Sequence, residues 1–117
     1  MISGISSALS ALTAFTNQAR VIANNVANVN TDGFKKSRAE FKSDPEGGVS
    51  VSVRKIDTPG ALMAQQTENG LELKESSNVD LAEEFVQTIV NERAFEANVK
   101  TLQAEDEKMG HLLDVIG

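Results

Sequence analysis

The stretch that decides the fold runs from Ile5 to Val29 and reads ISSALSALTAFTNQARVIANNVANV. Its apolar residues recur in steps of three and four, which is the a/d pattern of a helix that packs along one seam. The seam residues are Ile5, Ala8, Leu12, Phe15, Ala19, Ile22, Val26 and Val29. Because each helical residue adds about 1.5 Å, the stretch predicts a first helix roughly 40 Å long with a partner along its length.

A second seam of the same rhythm occupies the last third of the chain. Thr88, Glu92 and Asp106 interrupt it, and Val86 and Ile89 broaden it into a wider apolar face. Its members are Leu81, Phe85, Phe95, Val99, Leu102, Met109, Leu113 and Ile116. This seam predicts a second helix of roughly 55 Å, longer than a compact domain of this size needs.

The middle of the chain has the sequence signals of short strands and turns. Residues 44–48 read DPEGG, a strong turn signal, and residues 49–53 then alternate valine with serine. Asn69 and Gly70 form the dipeptide most typical of a tight hairpin. The middle therefore predicts a small strand-rich patch, too small to be stable alone.

Together these signals predict a mainly α fold. We expect an antiparallel pair of long terminal helices, a coiled coil, with a small β-hairpin-rich middle segment. The expected segments are 1–33, 34–76 and 77–117, all within one structural domain. The first helix is expected to end at Gly33, and Asp80 with Glu83 resembles the capping arrangement that starts the second.

Composition limits what such a fold can do alone. The aromatic content is 4%, with five Phe and no Trp or Tyr, so side chains that form a core are scarce. We therefore expect a marginal monomer that gains order on assembly. The absence of cysteine excludes disulfides, thiolate chemistry and Cys-based zinc sites.

Charge argues against a polyanionic partner. The net charge is −6, whereas nucleic acid binding needs a basic surface. Residues 34–42 are nevertheless locally basic and residues 76–117 are acidic, so the two segments can attract each other within or between chains. The alternative is two solvated charged faces. Serines interrupt the apolar residues near the N-terminus, so we expect neither a cleaved signal peptide nor a membrane span.

Candidate chemistry on the second helix is weak. Its carboxylates, such as Glu83 and Glu84, lie on a helix with no predicted pocket, which favours solvated charge over acid–base catalysis. His111 is the only histidine and has no second ligand at metal-binding spacing. We therefore predict no catalytic residue, no cofactor and no metal site.

The outward side of the first helix is unusual because it is polar but almost uncharged. Its residues are Ser3, Ser6, Ser7, Ser10, Thr13, Thr16, Asn17, Gln18, Asn24 and Asn28. Serine and asparagine are mediocre helix formers, and a soluble helix normally displays Lys and Glu instead. This surface favours a helix covered by neighbouring subunits or facing a confined channel, and the alternative is an accidental polar face.

Two motifs resemble the terminal signatures of bacterial flagellar rod and hook proteins. Residues 21–41 read VIANNVANVNTDGFKKSRAEF and resemble the N-terminal signature, an Ala-Asn-rich helix end followed by Thr-x-Gly-aromatic-Lys. Residues 75–85, ESSNVDLAEEF, and residues 91–98, NERAFEAN, look like the C-terminal signature. The motifs stand in the family's order at the family's ends, and the resemblance leaves out residues 43–74.

The resemblance implies an axial structural subunit of the flagellum, located in the periplasmic rod of the basal body. In that family the terminal helices pair into a coiled coil that forms an inner tube, and subunits travel through the type III export apparatus without signal cleavage. The implied partners are other rod and hook proteins, copies of this chain and the export apparatus. The chain length resembles proximal rod proteins, whereas residues 76–80, SSNVD, resemble the distal-rod or hook type.

We therefore interpret the chain as a non-enzymatic rod subunit that assembles by helix packing. The alternative is a small two-helix adaptor without a filament role, which predicts a defined small complex rather than concentration-dependent polymers. The predicted subunit and coiled-coil contacts are Ile5, Leu12, Phe15, Ile22, Val26, Asn24, Asn28, Thr31, Gly33, Phe34, Asn78, Val79, Phe85, Ile89, Phe95, Asn98, Val99 and Leu102.

Overall fold

The computed structural model describes residues 2–117, and Met1, the first residue of the predicted 1–33 segment, lies outside the described residues. The elements in chain order are α1 (Ile2–Ala27), β1 (Ser37–Ser43), β2 (Val49–Lys55), β3 (Leu62–Thr67), β4 (Gly70–Glu75) and α2 (Leu81–Ile116).

The prediction of a mainly α coiled-coil fold is wrong, because the chain is a mixed α and β structure. Four strands fill most of the segment between the helices and form two antiparallel two-stranded sheets, β1 with β2 and β3 with β4. The alternating valines of β2 and the turn signals predict the local structure correctly. The strand content is larger than predicted, because β1 pairs with β2 along its whole length, from Ser37 opposite Lys55 to Ser43 opposite Val49.

The first hairpin packs on α1 and changes the environment of that helix. Phe41 of β1 lies edge-on to Phe15 with ring centroids 5.3 Å apart. The Val49 N–H donates to Ser10 Oγ at 3.0 Å, so the start of β2 is tied to the helix surface. As a result α1 is covered by two elements, α2 and the first hairpin, rather than by one partner helix.

Packing of the first hairpin on α1, in addition to α2, explains which side chains of α1 are buried. The apolar ones among the described residues are Ala8, Ala11, Ala14 and Ile22. Three of the four are alanines, and a small side chain lets helix and sheet approach closely on adjoining sides. This arc is wider than one a/d seam, which is why the heptad pattern predicted the wrong packing for α1.

On α2 the residues that face α1 are mostly polar. Glu84 and Asn91 are buried, and Asn98 and Glu105 continue the same seven-residue spacing with partial burial. The helices run antiparallel, because a Cβ on Gly4 would meet Glu105 at 3.3 Å while Asn25 contacts Glu84. The predicted apolar seam of α2 thus forms only part of this contact, because Val99 and Leu102 are half-buried whereas Leu81, Phe85 and Phe95 are exposed.

Both helix ends next to the sheets have clear local causes. At its end α1 gives way to tight turns, in which the Asn28 N–H donates to Asn25 O at 3.1 Å and the Thr31 N–H to Asn28 O at 3.0 Å. The helix thus ends at Ala27, before the predicted stop. At the start of α2, Asp80 accepts from the Ala82 N–H at 2.9 Å, which confirms its capping role.

Among the described residues, the second hairpin (β3 and β4) packs against no other helix or strand. Its register places Leu62, Ala64, Leu71 and Leu73 on one side, and the three leucines are exposed. The whole molecule measures 80 × 24 × 17 Å with a radius of gyration of 20.9 Å, whereas a compact chain of this length has about 13 Å. The fold is thus a thin elongated body with a small core.

Candidate assembly interface

The segment between α1 and β1 lies beside the segment between β4 and α2. The Gly33 N–H donates to Glu75 O at 2.8 Å, and the Asn78 N–H donates to Phe34 O at 3.2 Å. These bonds hold the segment after α1 beside the segment before α2. We call residues 33–38 and 75–84 together the elbow clasp.

Asn78 is the central side chain of the elbow clasp. Its Oδ1 accepts from the Lys36 N–H at 2.6 Å, and its Nδ2 donates to Ile56 O at 2.8 Å and to Thr58 O at 2.9 Å. One amide therefore binds three backbone groups on two separate segments. A side chain that satisfies three backbone groups at once fixes the direction in which α2 leaves the clasp.

Gly33 and Gly60 shape the clasp in different ways. Gly33 has a φ of 69°, which favours glycine, but a Cβ there would meet nothing within 4 Å. Gly60 has ordinary backbone geometry, yet a Cβ there would lie 2.0 Å from Ser76 O. Gly33 is therefore required by conformation and Gly60 by close approach of two backbone segments.

Ion pairs close the rim of the clasp. Lys35 pairs with Glu75, and that hydrogen bond, helped by the Gly60 N–H at 2.9 Å, lowers the pKa of Glu75. Lys36 and Arg38 both lie 2.7 Å from Glu83, and their hydrogen bonds lower the pKa of that carboxyl. The predicted attraction between the basic and acidic segments thus operates within the chain.

A buried polar group lies beneath the rim, made by Asn25, Arg38 and Glu84. Asn25 and Glu84 are fully buried, and Asn25 exchanges two 2.9 Å hydrogen bonds with the backbone of Ser37. Arg38 Nη1 and Asn25 Nδ2 donate to Glu84 Oε1 at 2.7 and 3.3 Å. The group joins α1, β1 and α2 at one point.

The charges of this group depend on one another. Burial lowers the pKa of Arg38, but the hydrogen bonds that Arg38 donates to Glu83 and Glu84 outweigh it and raise the pKa above its ordinary value. Glu84 Oε2 accepts no hydrogen bond among the described residues. Arg38 is therefore the main compensation for a carboxylate removed from water, and the prediction of Glu84 as solvated charge is wrong.

A further polar contact holds the helices together beyond the clasp. Asn91 Nδ2 donates to Phe15 O at 2.8 Å and to Gln18 Oε1 at 2.7 Å. Sequence reasoning placed Asn91 only within a motif and assigned it no role. Its seven-residue spacing from Glu84 was the available signal, but heptad analysis searches for apolar residues and passes over polar ones.

The predicted contact residues fall into two groups. Those wholly or partly buried within the chain are Ile5, Leu12, Phe15, Ile22, Val26, Asn28, Phe34, Asn78, Val79, Asn98, Val99 and Leu102. Those exposed in the single chain are Asn24, Thr31, Gly33, Phe85, Ile89 and Phe95. Any role of these residues in contacts between subunits stays a prediction, and the exposed group has free surface for it.

Two apolar surfaces near the clasp are left uncovered by the described residues of the chain. The first, the α2 outer face, consists of Phe85, Val86, Ile89 and Val90, each more than half exposed. The second, the elbow groove, is an open apolar groove of about 460 Å³ between the helices. The groove is lined by Ala19, Ile22, Ala23, Val26, Ala27, Phe85, Thr88 and Asn91. Contiguous exposed apolar surface of this kind is typical of interaction sites.

Both ends of the chain match models of one protein family. Residues 5–35 match "Flagella basal body rod protein", and residues 73–115 match "Flagellar basal body rod FlgEFG protein C-terminal". The chain belongs to the flagellar basal body rod family. A comparison with curated proteins finds no significant match.

In this rod family protein the two matched ranges meet at the elbow clasp, because Gly33 of the first bonds to Glu75 of the second. The family associates the chain with the flagellum, the basal body, motility and a structural role. Neither α1 nor α2 has a stretch apolar and long enough to cross a bilayer. Within residues 2–117, acidic, His and Cys side chains form no cluster that would hold a metal ion.

Proposed function

We propose that this chain is a structural subunit of the flagellar rod, which packs its helices against neighbouring subunits to build an axial tube. The observation that carries the proposal is the match of both ends to rod family models, with those ends joined at the elbow clasp. The family itself suggests a structural role rather than an enzymatic one and association with rod and hook proteins.

The distribution of apolar side chains supports packing between subunits. The chain buries only four apolar residues among those described, three of them alanine, while the α2 outer face and the leucines of the second hairpin remain exposed. A surface of this kind gains free energy when a neighbour covers it, at about 25 cal/mol per Å² of apolar area.

The outward side of α1 supports a position among close neighbours. Its exposed polar residues include Ser3, Ser6, Thr13, Thr16 and Asn24, and Arg20 is the single charged residue of α1. Covering such a surface removes little charge from water, so it avoids most of the desolvation cost of a charged helix face. Helices packed around a narrow axial channel are covered by neighbouring helices on several sides, so a mostly uncharged surface suits them.

The small core also supports transport before assembly. We propose that the chain reaches the rod through the flagellar type III export apparatus in an unfolded or partly folded form. A core built mainly of Ala8, Ala11, Ala14 and Ile22 gives a small free energy of unfolding, so little work is needed to unfold the chain. Covering of the α2 outer face in the rod would then add stability.

The test is whether the protein is built into the flagellum and required there. A strain that lacks this chain should form no complete rod and hook by electron microscopy, and a plasmid copy should restore them. Purified basal bodies from the restored strain should contain the chain by mass spectrometry. Its absence from basal bodies, with rods still complete in the deletion strain, would contradict the proposal.

The adaptor alternative predicts a different result in the same strains. A two-helix adaptor would be recovered from cell extracts in a complex of fixed small size and would be missing from purified basal bodies. Size-exclusion chromatography of cell extracts, compared with the content of purified basal bodies, distinguishes the adaptor from the rod subunit.

A further inference from the structure

The far end of α2 carries an apolar stripe that the described residues of α1 leave exposed. α1 and α2 pair antiparallel, and Gly4 of α1 lies at the level of Glu105. Beyond this level the exposed fractions of Leu112, Leu113 and Ile116 are 46%, 64% and 82%. We call residues 109–116 the α2 tip.

The stripe on the α2 tip continues the side by which α2 packs on α1. The buried or half-buried positions Glu84, Asn91, Asn98 and Glu105 recur every seven residues, and the next position in the series is Leu112. Met109, Leu113 and Ile116 flank it at helical spacing. The tip is thus an extension of an existing interface, with apolar residues where the earlier positions are polar.

The elbow groove has the dimensions to receive such a tip. Its α1 wall runs from Ala19 to Ala27, which is about 12 Å of helix, and residues 109–116 span about 11 Å. Three of the residues on that side of α1 are alanines with small side chains, so another helix can approach closely. They are Ala19, Ala23 and Ala27.

Charge at the two surfaces is complementary. Arg20 is exposed next to Ala19 at the edge of the groove, and Asp114 is exposed next to Leu113 on the tip. Neither forms an ion pair with another described residue of the chain (the observed pairs involve other side chains). An opposite charge beside each apolar surface favours one direction of docking.

We propose that the α2 tip of one copy docks into the elbow groove of a second copy of this chain, head to tail. The groove is lined by Phe85, Thr88 and Asn91 of α2, and the tip begins at Met109 of the same helix, roughly 27 Å further along, so the chain cannot fill its own groove. A contact between two different surfaces leaves one of each free and continues into an open-ended row. The proposal rests on the proposed function and names the partner of the groove.

The size of the contact sets the expected strength. A helix end of eight residues buries less than the roughly 1,200–2,000 Å² of a stable interface, so one docking event should be weak, with a Kd on the order of 100 µM. In the rod, further contacts such as the α2 outer face would strengthen the row. In solution, the contact should be detectable by cross-linking at high concentration.

The absence of cysteine allows a direct test. One chain with Ala23→Cys is mixed with a second chain with Leu113→Cys and oxidised under mild conditions. Both positions are exposed, so neither substitution should disturb the fold, which circular dichroism checks. Cross-linked pairs should form severalfold faster than with His111→Cys, an exposed control on the opposite side of the tip.

A chain that carries both Ala23→Cys and Leu113→Cys tests the head-to-tail arrangement. Head-to-tail docking should give a ladder of dimers, trimers and larger species on a denaturing gel. A product that stops at the dimer would show a closed antiparallel pair and would overturn the open row. No excess over the His111→Cys control would overturn the docking altogether.

The same variants separate this proposal from the proposed function. If the chain is present in basal bodies but residues 23 and 113 do not cross-link there, the docking is wrong and the rod function stands. If the cross-link forms in solution but the chain is absent from basal bodies, the docking stands and the rod function fails.

Discussion

At the scale of single residues, the elbow clasp depends on a few polar side chains that are buried or half-buried. Glu84 is fully enclosed and compensated mainly by Arg38, while Asn25 and Asn78 satisfy backbone groups from distant segments. Such groups stabilise only as a complete set, because removing one member leaves the others without partners in a place that water does not reach.

Replacing Glu84 should be the most damaging change of a charged residue on α2. Glu84→Ala leaves Arg38 and Asn25 with unsatisfied donors, and we expect a loss of roughly 3 kcal/mol or more in the free energy of unfolding. Urea denaturation followed by circular dichroism measures it. The control is Glu96→Ala on the exposed side of α2, which should change stability by less than about 0.5 kcal/mol. Equal effects of the two variants would show that the buried group is not a stabilising unit.

The pKa of Glu83 predicts how stability depends on pH. Lys36 and Arg38 lower this pKa in the folded chain, so Glu83 stabilises the fold above its unfolded pKa of about 4.3, and the contribution is lost as pH falls through the folded value. Between pH 6 and pH 3 the free energy of unfolding should decline less in Glu83→Gln than in the natural chain. Parallel declines in the two proteins would contradict the ion pairs.

Substitutions of the two clasp glycines should differ in cost. Gly33→Ala meets no neighbouring atom and should cost about 1 kcal/mol for its positive φ. Gly60→Ala forces Ser76 to move and should cost more, about 2 kcal/mol or above. Thermal denaturation of both variants compares them, and a more stable Gly60→Ala than Gly33→Ala would refute the close approach at the clasp.

At the scale of elements, the sequence predicted local structure better than packing. The strand at 49–55, the turn before it and the Asp80 cap follow from turn chemistry and capping, which act over a few residues. The helix contacts do not, because the first hairpin covers part of α1 and leaves α2 to pack by polar residues such as Asn91. Apolar periodicity shows that a surface will be covered and does not say by what.

The α2 outer face should matter for assembly and not for folding. Ile89 is more than half exposed, so Ile89→Asp should leave the circular dichroism and thermal midpoint of the single chain almost unchanged. The same variant should be reduced severalfold in purified basal bodies, because it places a charge in a covered interface. Ala104→Asp, also exposed on α2, is the matched control. Normal incorporation of Ile89→Asp would exclude this face as a subunit contact.

At the scale of the whole molecule, the chain is an elongated body whose two family-matched ends are joined at one point. The clasp fixes the angle between the helices and the sheets, and the helices extend from it over most of the 80 Å length. This arrangement leaves apolar surface along the sides and at the far end, as expected for a subunit completed by its neighbours.

The overall shape is testable in solution. Small-angle X-ray scattering of the dilute chain should give a radius of gyration close to 21 Å, against about 13 Å for a compact chain of the same length. Glu84→Ala should increase this value, because loss of the buried polar group weakens the contact that joins α1, β1 and α2. A compact particle would contradict the elongated fold.

The most direct measurement of the central claim is an electron cryomicroscopy map of the basal body at side-chain resolution. The map should show this chain in the wall of the rod, with α1 and α2 antiparallel, Gly33 bonded to Glu75, and Phe85 and Ile89 covered by a neighbouring subunit. A rod whose density contains no such chain, or one in which the two matched ends lie apart and the α2 outer face is open to solvent, would contradict the account.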